Sequence, residues 1–299
     1  MTLQLYKMKL SRAHFGSGLL ETALPTITCD RLYSAMVNEA FAIGVGEVFI
    51  NRTLKDDFVL SDTLIEHFGL YFPKPIGYPL RVNQQNELDR SAVKKLKKIS
   101  MLHEDSIESF IAGNFDTEDI KQYYDEQNEK YKTEYVTRKG IDPYRVGYVS
   151  YEDDVYLVFI ATKDSLVEQV MTSLQYSGIG GKRTSGYGRF ELDIQPLESY
   201  IEERITLDYD GPVMLLSTAL PIDADLEEAI ALGNFLVHKS SGFAFSEQAK
   251  GAFRKQDLYK FRAGSTFSRS FRGSIVDVSP DSFVHPVYNF ARPIFYRLG

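Results

Sequence analysis

The stretch from Ser177 to Arg189 constrains this chain more than any other. Five glycines (Gly178, Gly180, Gly181, Gly186, Gly188) fall within eleven residues, alongside Thr184, Ser185, Lys182, Arg183 and Arg189. So many glycines in so short a run end any helix or strand. Each leaves its backbone N–H open and tolerates positive φ, so the segment can fold around an anion. The three cations add full charge, and arginine forks onto phosphate oxygens. Upstream, Leu166, Val167, Val170, Met171 and Leu174 repeat at helical spacing. Downstream, Tyr187, Phe190, Leu192 and Ile194 read as a strand. The reading is a helix-to-strand loop that cradles phosphates through Gly178, Gly180, Gly181, Lys182, Arg183, Ser185 and Gly186. A bare turn with a flexible tip is the alternative, although a turn needs only one or two glycines.

Mononucleotide motifs do not fit. A P-loop needs a glycine where Tyr176 stands and a Ser or Thr where Arg183 stands. A dinucleotide fingerprint from Gly178 needs glycine at position 183. Both motifs also run strand, loop, helix, the reverse of the order here.

The rest of the chain supplies a frame for that loop. Residues 2–11 read as a strand, broken by Gly16 and Gly18, and a helix runs from about Asp30 to Ile43, with Asp30 as N-cap. Arg31 in its first turn is either a solvated partner of an acid or shares an anion with the helix N-terminus. Phe72–Pro79 carries three prolines and reads as a stiff connection, or as an arm presenting Lys74 and Tyr78. Two amphipathic helices are expected within 88–130, with Lys94, Lys95, Lys97 and Lys98 on a solvated face. Residues 134–150 and 155–162 are β-rich and joined at Glu152-Asp153-Asp154. The order is then β-α-β-β-α-β, the ferredoxin-like order. The expected organisation is α+β, with a ferredoxin-like (RRM-like) domain over 1–200 that carries a large insertion at about 44–133. A degenerate unit of the same kind is expected over 201–299, with strands near 213–219, 235–246, 258–267, 273–278 and 287–298.

A catalytic set is hard to find. The five histidines, His14, His67, His103, His238 and His285, show no metal-ligand spacing. No metal and no cofactor are expected. His14 is the one catalytic candidate.

Five further blocks stand in order with the glycine loop: Ala13–Gly18 (AHFGSG), Asp30–Ala35 (DRLYSA), Phe72–Pro79 (FPKPIGYP), Lys239–Ser246 (KSSGFAFS) and Arg254–Lys260 (RKQDLYK). Together they resemble the RAMP superfamily of CRISPR proteins, and within it the fourth Csm subunits of type III-A effector complexes. The resemblance spans nearly the whole chain and is weakest around 84–135. It implies two RAMP-type ferredoxin-like domains and a non-catalytic, RNA-binding cap subunit in antiviral defence. Such a subunit holds the five-prime handle of CRISPR RNA. Its implied protein partners are the large polymerase-like subunit and a backbone RAMP subunit. The candidate RNA contacts outside the loop are His14, Gly16, Ser17, Arg31, Ser34, Lys74, Ser240, Ser241, Lys255, Lys260 and Ser265. Tyr187, Phe243 and Phe245 are available for stacking. The superfamily also contains metal-independent repeat endonucleases. In that alternative His14 is a general acid or base, with Tyr33 and Lys182 beside it. A scaffold without RNA contact is the third class.

Net charge bears on this choice. At −7 the chain is no simple nucleic-acid coat. Its charge is segregated instead: Lys250–Arg272 holds seven cations against Asp257, whereas 84–130 holds eleven acids against seven cations. The single cysteine, Cys29, excludes an internal disulfide and suits a reducing cytoplasm. No apolar run approaches a membrane span.

Overall fold

The computed structural model describes residues 2–16, 18–80, 88–139, 143–246, 250–281 and 283–299. β1 (Leu3–Leu10) and the short β2 (Arg12–Ala13) precede α1 (Cys29–Ala42) and α2 (Gly46–Thr53). Then come β3 (Leu64–Glu66), β4 (Leu70–Pro73), α3 (Arg90–Lys98), β5 (Met101–His103), α4 (Glu104–Ile111) and α5 (Thr117–Glu129). β6 (Tyr131–Arg138), β7 (Tyr144–Tyr151), β8 (Tyr156–Thr162), α6 (Ser165–Ser177) and β9 (Phe190–Pro196) complete the first half. The main sheet is antiparallel in the order β5-β4-β3-β8-β1-β9. Its β9-β1-β8-β3 portion, with α1 and α6, is the ferredoxin-like unit.

Strand alternation explains its two faces. Tyr6, Met8 and Leu10 of β1 and Leu157, Phe159 and Ala161 of β8 pack under Leu32, Met36 and Ala40 of α1 and Val167, Val170, Met171 and Leu174 of α6. Leu3, Leu5, Val158 and Ile160 point the other way, into a second core. Asp164 caps α6 by accepting from Leu166 N at 2.9 Å. Gly178, at φ 78°, ends α6 with its N–H on Leu174 O.

The second strand of the unit is Leu64–Glu66, not the expected 134–150. β6 and β7 form a hairpin that pairs with β2 in a separate three-stranded sheet, order β2-β7-β6. The long intervening segment therefore follows the second strand rather than preceding it. Phe72–Pro79 does not project as an arm. Its first residues complete β4, and Ile76 N donates to Gly264 O at 2.8 Å.

In the second half, α7 (Ser199–Arg204) and β10 (Ile205–Thr206) come first. β11 (Val213–Leu215), α8 (Asp223–Ala231), β12 (Val237–Ser240), β13 (Phe243–Ser246), β14 (Gly251–Arg254) and β15 (Leu258–Phe261) follow. β16 (Thr266–Phe267), β17 (Ile275–Asp277), β18 (Tyr288–Phe290) and β19 (Phe295–Arg297) end the chain. The sheet β10-β19-β11-β16 keeps the last, first and third strands of a ferredoxin-like unit in their usual order. The second strand is reduced to an Asn234–Thr266 bridge, and the described residues between β16 and β19 hold no helix. The unit is degenerate in that sense. β12-β15, β13-β14 and β17-β18 are separate two-stranded ladders.

The halves share buried polar contacts. Thr28 occupies the N-cap position of α1 without a side-chain bond, so Asp30 is not the cap. Asp62 supplies that role from outside the helix, accepting from Cys29 N at 2.8 Å, Thr218 N at 2.8 Å and Thr218 Oγ1 at 2.6 Å. Arg292 donates to the carbonyls of Thr53 (2.9 Å), Leu54 (2.7 Å), Lys55 (2.5 Å) and Phe58 (3.1 Å), closing the end of α2. Among the described residues no helix is long and apolar enough to cross a membrane.

Candidate nucleic-acid interface

The glycine loop folds back over the end of β1. His14 and Gly181 form an antiparallel bridge, with Gly181 N donating to His14 O at 2.9 Å. Gly188 N donates to Arg12 O at 2.9 Å, and Ile179 N to Gly188 O at 2.8 Å. Three positions leave no room for a side chain. A Cβ on Gly180 would lie 2.8 Å from His14 O, one on Gly181 2.7 Å from His14 Cδ2, and one on Gly188 1.9 Å from Ile179 O. So the N–H groups of Gly178, Gly181, Gly186 and Gly188 are engaged in folding the loop. The open donors are successive N–H groups at Lys182, Arg183 and Thr184, where Lys182 at φ 58° leads into a single 3-10 turn over Arg183–Ser185. Arg183, Ser185 and Gly186 are exposed.

His14 is buried, and its Nδ1 donates to Gly147 O at 2.5 Å. Gly16 and Gly181 pack against the other side of its ring. Arg31 projects from the first turn of α1 and donates through Nη1 to Gly16 O at 2.6 Å. It does not share an anion with the helix N-terminus, because Asp62 already takes Cys29 N. His14, Gly16, Arg31, Ser34, Gly178, Gly180, Gly181 and Arg183 line one groove of about 640 Å³ between α1 and α6. Lys182 sits beside it, its ammonium 5.4 Å from the centroid of the Tyr144 ring. Ser17 lies outside the described residues.

The other candidates fall elsewhere. Lys260 is 1% exposed, paired with Asp30 at 3.3 Å and donating to Asn289 Oδ1 and Phe290 O at 3.0 Å. It is a core residue, not a phosphate contact. Burial works to raise the Asp30 carboxyl, but Lys260 and the Ser240 hydroxyl, which donates at 2.6 Å, hold it well below the usual carboxylate range. Ser240 and Ser265 are buried, and Ser241 is exposed. Lys74 is half-buried and donates to Leu96 O at 2.6 Å, which turns it inward. Lys255 stays near the site: burial lowers its ammonium, and Asp30, Lys260 and Arg31 are its charged neighbours.

The set expected beside a catalytic His14 is not assembled. Tyr33 is fully buried, with its hydroxyl 2.8 Å from Thr53 Oγ1. Tyr187 is buried against Tyr148, Phe243 is exposed on its hairpin, and the Phe245 side chain lies outside the described residues. Among the described residues no cluster of His, Cys, Asp and Glu is set to hold a metal ion. The hairpin residues Tyr144, Tyr148 and Gly147 bound the site but went unread in the sequence. Arg12 lies 5.6 Å from the Tyr148 ring. An alternating aromatic and Arg pattern, Tyr144-Arg145-Val146-Gly147-Tyr148, was the available signal.

Comparison with known proteins agrees with this architecture. Residues 14–191 match the RAMP superfamily and residues 210–298 match the CRISPR Csm4 C-terminal domain. A CRISPR Csm4 protein of Streptococcus thermophilus is 42% identical over 302 residues, covering 100% of this chain and 99% of that one. Its counterpart in Mycobacterium tuberculosis is 37% identical over 317 residues, covering 100% and 98%. Among solved structures, a Csm3-Csm4 subcomplex of the type III-A CRISPR-Cas interference complex aligns with a TM-score of 0.67 at 16% identity, over 99% of each chain. A Csm1-Csm4 cassette with AMPPNP aligns with a TM-score of 0.65 at 13% identity, over 100% of this chain and 98% of that one. Sequence kinship over the full length and a shared two-part fold place the chain in the Csm4 family of the RAMP superfamily.

Proposed function

We propose that this chain is the RNA-binding cap subunit of a type III-A CRISPR effector complex and holds the five-prime handle of CRISPR RNA. The observation that carries the reading is the bridge between His14 and Gly181. It closes a cation-bearing loop over a groove and leaves successive N–H groups, Lys182, Arg183 and Arg31 at one mouth. Backbone N–H groups and arginines suit phosphates, and a groove beside them suits the splayed bases of a single strand. Lys255, near Arg31, extends the positive side. The site binds rather than cleaves, because Tyr33 lies in the core and Lys182 is set over Tyr144. The relatives' assemblies supply the partners: a Csm1-type large subunit and a Csm3-type backbone subunit. Cytoplasmic location follows from that assignment.

The test is handle RNA binding across a salt series. Replacing Lys182 and Arg183 together by Ala weakens binding and reduces the salt slope by about one unit per lost phosphate contact. Unchanged affinity and slope in a folded double variant would overturn the reading. Repeat RNA incubated with the protein, with or without Mg²⁺, stays intact, whereas cleavage abolished by His14→Ala would establish the endonuclease.

A further inference from the structure

The cationic mouth accounts for only one side of the groove. Its far wall is the α1 surface at Ser34, Ala35, Asn38 and Ala42, where Ala35 contributes only a methyl group. Between the helices sits Glu39, 6% exposed and lining the same groove. Its Oε1 accepts from Ser177 Oγ at 3.0 Å and from Ser173 Oγ. Among the described residues both hydrogen bonds to Glu39 fall on Oε1 and no cation pairs with it, which leaves Oε2 to the groove that Glu39 lines. A carboxylate oxygen that faces the groove repels phosphate and can accept from a neutral donor. Within a strand of RNA the neutral donors of that reach are base amines, base ring N–H groups and the ribose hydroxyl.

We infer that the groove between α1 and α6 receives one nucleobase of the bound RNA, and that Glu39 Oε2 accepts a hydrogen bond from its exocyclic amine. The inference rests on the RNA-binding reading above and specifies its chemistry. Phosphates stay at the mouth with Arg31, Arg183 and the loop N–H groups. The base lies along Ala35 and reaches inward. Adenine, cytosine and guanine each carry an amine. Uracil flanks its single N–H with two carbonyl oxygens, whose lone pairs repel a carboxylate that approaches it. The pocket is therefore a filter against uracil at one nucleotide, set apart from the sequence-blind grip on the backbone.

The experiment uses the full-length chain and handle-length RNAs with each of the four bases placed in turn at every position. One position is expected to accept A, C or G alike and to bind U about tenfold more weakly, the scale of one charge-assisted hydrogen bond. Glu39→Gln offers both a donor and an acceptor while still accepting from Ser173 and Ser177. It is expected to abolish that discrimination and keep the salt slope. Ala35→Leu narrows the groove and is expected to remove discrimination too, again with the slope intact. An intact slope in both variants reports a folded loop, which a purely structural role for Glu39 would not link to base identity. RNA binding with a normal slope but no uracil-sensitive position overturns the base pocket and leaves the RNA reading standing. Retained discrimination in Glu39→Gln overturns the role of Glu39. Loss of binding on 2′-deoxy substitution at one position, irrespective of base, reassigns Glu39 to the sugar and overturns the inference. Free AMP that displaces RNA where UMP does not, at equal concentration, supports the pocket. AMP that binds as tightly as the RNA makes the ligand a mononucleotide and overturns the assignment to a strand. No RNA binding at all brings down the functional reading itself.

Discussion

Lys260 and Asp30 form an ion pair at 3.3 Å, with side chains 0% and 6% exposed. In the sequence, Lys260 belongs to a run of cations, and a charge run is ordinarily a solvated face. What the run hides is that the one cation within β15, Lys260, is buried with Phe261 at the end of the strand, opposite an acid far away in the chain. Removing one partner of such a pair costs about 3–5 kcal/mol. Lys260→Met is therefore expected to lose that much stability at pH 7 in urea unfolding. The pH dependence has a definite sign. Asp30 is held below its unfolded value in the wild type, so its contribution is complete above about pH 4 and lost as pH falls below that. In Lys260→Met the carboxyl is buried without its cation, its pKa rises, and acid stabilises the fold instead. The gap between the two proteins should narrow from pH 7 to pH 4. An equal gap at both would mean that the pair does not hold the charge. His14, Arg31 and the loop residues were legible because their chemistry is local. Glu39 was only half legible: an acid one position from Ala40, on the buried stripe of α1, breaks the apolar pattern but does not say what it faces.

α2 is eight residues long and ends in a set of buried and partly buried carbonyls. Four of them converge on Arg292, which is 6% exposed. A helix end buried without partners is costly, and only a planar fork reaches several oxygens at once. Arg292→Lys keeps the charge but not the fork. It is expected to cost about 2–4 kcal/mol, from the loss of two or more charge-assisted bonds, read as a lowered urea midpoint at unchanged slope. A stability within error of wild type would show that water replaces the fork. At this scale α1, α6, β1 and β9 were legible from their periods, although the cap of α1 was not. β3 was not, since three residues before a His67-Phe68-Gly69 turn give too little alternation to register. The longer β7 carried the stronger signal, so it drew the assignment. Strand identity depends on pairing, and pairing is not local. Phe72–Pro79 misled for a related reason: prolines fix stiffness, not the surface a segment lies against.

Seen whole, the two halves are not independent. The second core joins Leu3, Leu5, Val158 and Ile160 to Met214, Leu216, Ile294 and Tyr296. Cutting the chain near residue 200 strips the sheet of that cover and leaves Asp30 and Asp62 without Lys260 and Thr218. A fragment of residues 1–200 is expected to bind an apolar dye and to melt without a cooperative transition. A sharp transition like that of the full chain would show that the first half folds alone. Sequence reading finds two fold units but not their mutual burial, because a strand buried on both faces reads the same whichever neighbour covers it. The bridge between His14 and Gly181 also sets a timetable. His14 leaves the ribosome long before Gly181, and Lys260 follows later still. A nascent chain thus has the histidine and no loop to close over it, then a loop whose supporting helix still lacks its buried cation. Domains form as units during synthesis, so on the proposed reading the capacity to grip RNA waits for Lys260 to emerge as well as for the loop to close.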